Sequence, residues 1–154
     1  MARLRPISEE DKERLVRFHA RLSEETRYRR YHGAKADLTK PELAYLTEVD
    51  HHEHVAVVAE RPDGELGAVA RVVSNGDGTA DVAVVVADDC RGLGLGAAAV
   101  REAVRRHATD GPGDEVHAVV QTANGPAVAL FVDRLGGERV HAEAGVAIVR
   151  LPAA

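Results

Sequence analysis

Hydrophobic and polar residues alternate along this chain in blocks that predict a mixed α/β protein. Short apolar runs bounded by glycine, proline and aspartate are typical of β-strands, whereas apolar positions three and four residues apart are typical of amphipathic helices. Both patterns recur between residues 3 and 151, without an internal repeat. We therefore expect a sheet that is covered by helices.

The strand pattern occurs seven times. Two connections, residues 62–64 (Pro-Asp-Gly) and 75–78 (Asn-Gly-Asp-Gly), are typical of hairpin turns, so the second, third and fourth strands are expected to pair antiparallel. The predicted strands cover residues 3–7, 54–61, 66–73, 79–86, 116–121, 139–141 and 146–151.

Helix signals occupy the segments between these strands. Ser8 is followed by three acidic residues, which predicts a capped helix over about residues 8–22. Thr39 and Glu42 have the spacing of a capping box, which predicts a helix through about residue 47. The other helices are expected at residues 23–31, at residues 96–108 and directly after residue 124.

A glycine-rich turn between the strand 79–86 and the helix 96–108 is the most informative segment. Such a turn directs several free backbone N–H groups at one point, at the positive end of a helix dipole. Glycines leave no Cβ in the way of a ligand, and an arginine adds a cation. The turn therefore predicts a phosphate cradle that consists of Arg91, Gly92, Leu93, Gly94, Leu95, Gly96 and Ala97.

The same glycines also fit the dinucleotide-binding pattern G-x-G-x-x-A, with Asp114 twenty residues after Gly94. In that fold the acidic residue follows a second parallel strand, whereas Asp114 precedes the next apolar run. This context disfavours a dinucleotide site. The loop alone leaves open a purely structural role, in which the glycines only pack the helix on the strand.

Two motifs together resemble the GNAT superfamily of acetyl-CoA-dependent N-acetyltransferases. The run from Arg91 to Gly96 resembles its CoA-binding motif, which is Gln or Arg, two residues, Gly, one residue, then Gly or Ala. The run from Asn124 to Gly136 resembles the later motif, which is Asn, two residues, Ala, two residues, Leu-Tyr, then Gly-Phe. Phe131 departs from it, because the family usually has Tyr there, and so does the glycine that follows Gly136.

The resemblance implies the GNAT fold, an α/β (α+β) architecture with a central, mixed, mostly antiparallel twisted sheet and helices on both faces. It also implies that the central strands 79–86 and 116–121 splay apart, with the pantetheine arm of acetyl-CoA bonded in the gap like an extra strand. The cofactor-binding residues that it implies beyond the loop are Val84, Val85, Val86, Asn124, Phe131 and Arg134.

The amino-terminal half resembles bacterial protein lysine acetyltransferases of the Pat type. The likeness is carried by residues 4–7 (Leu-Arg-Pro-Ile), by 27–31 with its two Arg-Tyr pairs, and by 43–52. It implies transfer of an acetyl group from acetyl-CoA to a primary amine, above all to a protein lysine.

The resemblance also implies the catalytic residue. Pat-type enzymes use as general base a Glu on the strand before the phosphate loop, and Asp81 is the matching position here. An aspartate is shorter by one methylene, so it would act through a water. An otherwise apolar strand can raise the pKa of a carboxyl toward that of a base. The alternative is a solvent-facing residue beside the turn 75–78.

The segment 50–54 (Asp-His-His-Glu-His) suggests a metal site at first. Adjacent residues on an extended chain point to opposite sides, and no further cysteine or histidine pair completes a ligand set. We therefore expect no metal, and a surface turn at the acceptor side. There His51, His52 or Glu53 would relay protons or attract an amine.

Length, charge and cysteine content indicate the number of domains, the class of ligand and the cellular compartment. The 154 residues carry a net charge of −5, which disfavours a general nucleic-acid binder and suits a cationic substrate. We expect a single domain over residues 1–154, without a signal peptide or a membrane span. The single cysteine, Cys90, cannot form an internal disulfide, so a cytoplasmic protein with Cys90 as a neutral loop residue is expected. A homodimer is left open.

Two other functions remain open at this stage. Phe131 lacks the hydroxyl with which many GNAT enzymes protonate the departing thiolate. The chain is therefore also compatible with a catalytically weak sensor that binds acyl-CoA. The acceptor side consists of loops, so a small amine such as a polyamine or an aminoglycoside is a further candidate acceptor.

Overall fold

A seven-stranded sheet forms the centre of the structure, a computed structural model that describes residues 2–22, 38–90 and 94–152. Within these ranges the strand order is β1-β2-β3-β4-β5-β7-β6. All neighbouring strands are antiparallel except β4 and β5, which are parallel. The predicted mixed sheet is confirmed, with β1 (Arg3–Pro6), β2 (His54–Glu60), β3 (Leu66–Ser74), β4 (Thr79–Val86), β5 (Glu115–Gln121), β6 (Glu138–Glu143) and β7 (Val146–Arg150).

Four α-helical segments are described: α1 (Lys12–Ala20), α2 (Lys40–Thr47), α3 (Leu95–Asp110) and the short α4 (Gly125–Val128), which continues as a π-helical turn. The capping box of α2 forms as predicted. The first predicted helix is shorter, because a 3-10 turn precedes α1, and α3 is longer than the predicted 96–108. The helix predicted at 23–31 lies outside the described residues. No described helix is long and apolar enough to cross a membrane.

The helices cover both faces of the sheet, as predicted. Val82 of β4 and Val100 of α3 belong to one core cluster, between the sheet and α3. Val85 of β4 and Phe18 of α1 belong to a second cluster on the opposite face, against which α2 also packs. Successive β4 side chains therefore enter different cores, which explains why the strand is apolar at almost every position.

The pairing of β4 with β5 is short. Only three positions are in register, and the last of them joins Asp81 to His117. Beyond it, β4 stays paired with β3 as far as Val86, and β5 stays paired with β7 as far as Gln121. The two central strands thus diverge and leave a gap between two free edges, which confirms the predicted splay.

A buried carboxylate, that of Asp11, holds the segment before α1 in place. Asp11 is fully buried and accepts two hydrogen bonds from the Arg5 guanidinium, at 2.7 and 2.8 Å, and one from the Ser8 N–H at 2.8 Å. Burial alone would raise the pKa of Asp11, but the bonds from Arg5 and Ser8 outweigh it and hold the pKa below its ordinary value. The ion pair therefore ties α1 to β1, which carries Arg5.

Replacing this carboxylate tests its contribution to the fold. Asp11→Asn removes the buried carboxylate but leaves Arg5 paired with Glu60 at 2.7 Å, and we expect the free energy of unfolding to fall by about 1–3 kcal/mol. Because the folded pKa is depressed, the contribution is complete above about pH 4 and is lost as the pH falls through the folded value. Urea denaturation across this pH range measures both effects. The exposed neighbour Glu10→Gln is the control, and an equal loss there would contradict the assignment.

Candidate active site

The free edge of β4 faces the gap with alternate residues. The Ala87 N–H donates to the Gly67 carbonyl of β3 at 2.9 Å, and the direction of backbone bonding alternates along a strand. Val85 therefore bonds to β3, while Val84 and Val86 turn their backbone groups into the gap. The predicted backbone contact of Val85 with the cofactor is therefore wrong. The Val85 backbone bonds to β3, and its side chain is buried in the core.

The amino terminus of α3 lies at the wide end of the gap. Gly94 has a φ of +77° and precedes the helix, whose first internal bond runs from the Ala98 N–H to the Gly94 carbonyl at 3.1 Å. The N–H groups of Leu95, Gly96 and Ala97 thus have no acceptor within the helix, and no acidic residue occupies its first turn. This arrangement suits an anion. Arg91, Gly92 and Leu93 lie outside the described residues, so their part of the cradle stays a prediction.

Two glycines allow α3 to approach the sheet closely. A Cβ on Gly96 would lie 2.8 Å from Val86 Cγ2, so only glycine lets the first turn of α3 rest on the edge of β4. A Cβ on Gly67 of β3 would lie 3.0 Å from Leu95 Cδ1. The sequence analysis missed Gly67, although a glycine inside an apolar strand is a recognised signal of close approach.

A guanidinium lies beside this turn. Nη2 of Arg134 is 3.2 Å from the position that a Cβ on Gly94 would take. The Arg134 guanidinium forms no hydrogen bond or ion pair with any residue that the structure describes. Arg101 of α3, which the sequence analysis also missed, donates to the Arg134 carbonyl at 3.1 Å and so links α3 to α4. A cation is therefore available where the free N–H groups converge.

The second motif has a different geometry from the one expected. The Asn124 side chain caps α4 by accepting from the Ala127 N–H at 3.3 Å. The π-helical turn follows, marked by the bond from the Leu135 N–H to the Leu130 carbonyl, which the sequence did not predict. Phe131 is only 5 % exposed and belongs to the core under α3, so little of its ring is left for a ligand. Leu130, rather than Phe131, lies near Gly96, with its Cδ2 3.8 Å from the Cβ position.

Asp81 lies at the narrow end of the gap, where the β4–β5 pairing ends. Its neighbours Ala80 and Val82 are buried under α3, so the Asp81 side chain points to the opposite face, where it is exposed. The apolar setting suggested by the strand sequence is therefore absent. Five residues separate Asp81 from Val86, or about 17 Å of strand. The carboxylate and the helix terminus thus mark the two ends of one long gap.

A family model described as an acetyltransferase (GNAT) domain matches residues 2–137 of the chain. This is most of its length, and it includes the gap, α3 and α4. The chain belongs to the GNAT acetyltransferase family.

Individual relatives agree with this assignment. Acetyltransferase Pat of Mycolicibacterium smegmatis is 34 % identical over 151 residues, which cover 96 % of this chain and 44 % of that protein. The chain spans about half the length of the curated relatives it matches. The GNAT domain of S. lividans PAT has a similar structure, with a TM-score of 0.86, 30 % identity and coverage of 97 % of this chain and 89 % of that one.

The fold is shared more widely among GNAT proteins. The Salmonella typhimurium protein yncA, whose structure contains acetyl-CoA, matches with a TM-score of 0.75 at 16 % identity, over 97 % of this chain and 92 % of that one. At 16 % identity this likeness shows the fold alone. The gap of the present GNAT chain has two unpaired strand edges for an extended amide-bearing arm, and its wide end has free N–H groups and a guanidinium for a pyrophosphate.

The segment 51–53 precedes β2 at the end of the sheet where Asp81 lies, because His54 and Asp81 are both in register with Val73 of β3. The Asp50 carboxylate accepts the N–H groups of His52, Glu53 and His54 at 2.9–3.0 Å, and these backbone bonds lower its pKa. His51 lines a cavity of about 170 Å³ together with Arg106 of α3, on the face opposite Asp81. His51 thus lines a cavity on the α3 face, and the substrate-side role of His51, His52 and Glu53 stays a prediction.

Other candidate chemistry is absent from the described part of the GNAT chain. No three His, Cys, Asp or Glu side chains in residues 2–22, 38–90 and 94–152 are placed to hold a metal ion. Cys90 is buried, and that burial, followed by the charge of Asp89, raises the pKa of its thiol. A neutral thiol is a poor nucleophile, which agrees with the structural role expected for Cys90.

A glycine substitution tests the assignment of the gap. Gly96→Val places a branched side chain against Val86 and displaces α3 from the gap edge, so we expect acetyl-CoA affinity to fall at least about tenfold. Isothermal titration calorimetry measures the affinity, and circular dichroism shows whether the fold is retained. Gly125→Ala is the matched control, because its Cβ would meet nothing within 4 Å. Unchanged affinity in folded Gly96→Val would place the cofactor elsewhere.

Proposed function

We propose that this chain transfers an acetyl group from acetyl-CoA to a primary amine, a protein lysine, by direct attack with Asp81 as general base. One observation carries the proposal: a single gap has the free N–H groups of a helix terminus at its wide end and an exposed carboxylate at its narrow end. The co-substrate enters from the α3 side, and the amine approaches from the face on which Asp81 is exposed. The two reactants then meet between β4 and β5.

The chain's own contribution to this reaction is chiefly positional. Bound acetyl-CoA supplies the thioester, whose carbonyl carbon the amine attacks while the C–S bond breaks and the thiolate takes up a proton. The free amides of Val84 and Val86 hold the extended arm in line with β4, and the N–H groups at the start of α3 hold the pyrophosphate. Holding both reactants in one gap lowers the entropic part of the barrier.

Asp81 serves the amine in two ways. As an ionised carboxylate it attracts an ammonium group, and it accepts the proton that must leave before nitrogen can attack. Its side chain is one methylene shorter than that of the family's usual glutamate, so a water molecule bridges the Asp81 carboxylate and the amine. Because Asp81 is exposed, that water exchanges freely with solvent.

The acceptor-side face suits a lysine side chain. Val119 of β5 lies two residues beyond His117 on this face, and 61 % of its surface is exposed. It pairs with Ile148 of β7, so a small apolar surface borders the gap. The methylenes of a lysine can cover this surface while the ammonium reaches Asp81. The net charge of −5 further favours a cationic acceptor.

The base assignment is tested by Asp81→Asn. The amide cannot accept the proton, so we expect kcat to fall by about 10²–10⁴-fold with no change in acetyl-CoA affinity. The deficit should shrink at high pH, where more of the amine is already unprotonated. Asp110→Asn changes an exposed carboxylate at the end of α3 and serves as the control. Equal turnover of the Asp81 variant and the native chain at neutral pH would contradict this role.

The acceptor is tested with native protein and a panel of amines. Lysine peptides, polyamines and aminoglycosides are compared by kcat/KM, and CoA release without an amine gives the background rate. We expect the peptides to be the best acceptors, because their lysine methylenes can cover Val119. Preference for a small amine would replace the lysine assignment. Acetyl-CoA binding without transfer to any amine would favour the sensor function.

A further inference from the structure

His117 lies directly across the β4–β5 junction from Asp81. The two residues form the last in-register pair before the strands diverge. Val116 and Ala118, on either side of His117, are buried under α3, so His117 shares the opposite face with Asp81. Neighbouring strands lie about 4.8 Å apart, which lets an imidazole and a carboxylate share one water. The sequence analysis did not identify His117, because its register with Asp81 is visible only in the sheet.

The ring of His117 is held by a carboxylate on its own strand. Its Nε2 lies 2.8 Å from Oε1 of Glu115, and this bond is the main reason that the pKa of Glu115 lies below its ordinary value. A carboxylate only accepts, so Nε2 carries the proton and Nδ1 is left as the accepting atom of the neutral ring. Glu115 is itself 3.8 Å from Nη1 of Arg150, which pairs with Glu138. The pair is thus anchored across three strands.

Charged groups from each neighbouring element face His117. Glu115 lies on the same strand, Asp81 on β4 and Arg150 on β7, each adjacent in register or in direct contact. Asp77, in the turn before β4, also interacts electrostatically with His117. An imidazolium at this position would therefore lie among three carboxylates and one guanidinium.

We propose that His117 is the second member of a proton-transfer pair with Asp81, and that its Nδ1 takes the proton released by the attacking amine. This inference rests on the proposed function. The ammonium N–H bond breaks, its electron pair stays on nitrogen and attacks the carbonyl carbon, and the Asp81 carboxylate accepts the proton and passes it through a shared water to Nδ1. Glu115 holds the resulting imidazolium, which returns the proton to solvent.

The chemistry gives a reason for a second group. An ordinary aspartate is a weaker base than an alkylamine by about six powers of ten, whereas an ordinary imidazole is weaker by only about four. A carboxylate that binds the ammonium tightly is therefore a poor final acceptor for its proton. Transfer of the proton to an imidazole one strand away requires less free energy, and it leaves Asp81 able to bind the next ammonium group.

His117→Ala and His117→Gln test the proposal in the native chain. With a lysine peptide and saturating acetyl-CoA, we expect kcat to fall by about 10²-fold in both variants, with unchanged acetyl-CoA affinity. Imidazole added to the buffer should restore at least tenfold of the loss in His117→Ala, because it occupies the vacated space. It should not restore His117→Gln, whose amide fills that space without accepting a proton.

The sheet offers a matched control. His141 of β6 pairs with Glu143 at 3.3 Å on the same face, and β7 separates its strand from β5 and the gap. His141→Ala should keep native turnover and show no effect of imidazole. Melting curves of all variants confirm folding, and the glutamine variant decides the matter if the alanine variant unfolds.

Two outcomes would overturn the proposal without affecting the proposed function. Native turnover in His117→Gln would show that no proton passes through the ring. A loss in folded His117→Ala that imidazole does not relieve would show that the ring only supports the strand. Failure of the proposed function is distinguishable from both, because native protein would then acetylate no amine or Asp81→Asn would stay active.

Discussion

Three in-register positions between β4 and β5 hold the two halves of the sheet together, and the active-site geometry depends on how few they are. On one side, β1 to β4 form a regular antiparallel sheet, and on the other, β5, β7 and β6 form a second one. A fully paired junction would leave no unpaired amides for a ligand. A junction without the three pairs would separate Asp81 from His117.

Close contact between α3 and β4 is the second constraint. Gly96 lets the helix terminus reach the free strand edge, and Gly67 makes room for Leu95 on the neighbouring strand. The amino terminus of α3 and the unpaired amides of β4 therefore face the same part of the gap. Arg134 adds its charge there from the π-helical turn after α4, which Arg101 links to α3. The wide end of the gap is thus assembled from β3, β4, α3 and this turn.

Local signals in the sequence predicted the elements well. The capping box at Thr39 and the two hairpin turns at 62–64 and 75–78 involve only a few neighbouring residues, so the sequence shows them directly. The splay followed from the resemblance to GNAT proteins, and the order of the strands in the sheet was not predicted, since pairing between distant strands leaves little trace in composition.

Features that depend on strand register could not be predicted from the sequence. Val85 lies within the ligand-facing run of β4, yet strand alternation directs its amide to β3. For Asp81 the sequence left open an apolar setting and a solvent-facing one, and the structure shows the exposed one, because its two buried neighbours point the other way. Arg71 shows the same limit: it is buried in β3 and donates to the Leu46 carbonyl at 2.7 Å, although an arginine in a strand ordinarily suggests solvent.

The splay has a consequence for the energetics of the whole domain. An extended ligand in the gap would complete the interrupted sheet and connect its two halves along their full length. Its binding would then stabilise the folded domain against unfolding by about 2.7 kcal/mol when the free ligand concentration is one hundred times Kd. Without the co-substrate, only the three β4–β5 pairs join the two halves of the sheet. With it, the halves would form one continuous sheet, in which the extended arm takes the place of a central strand.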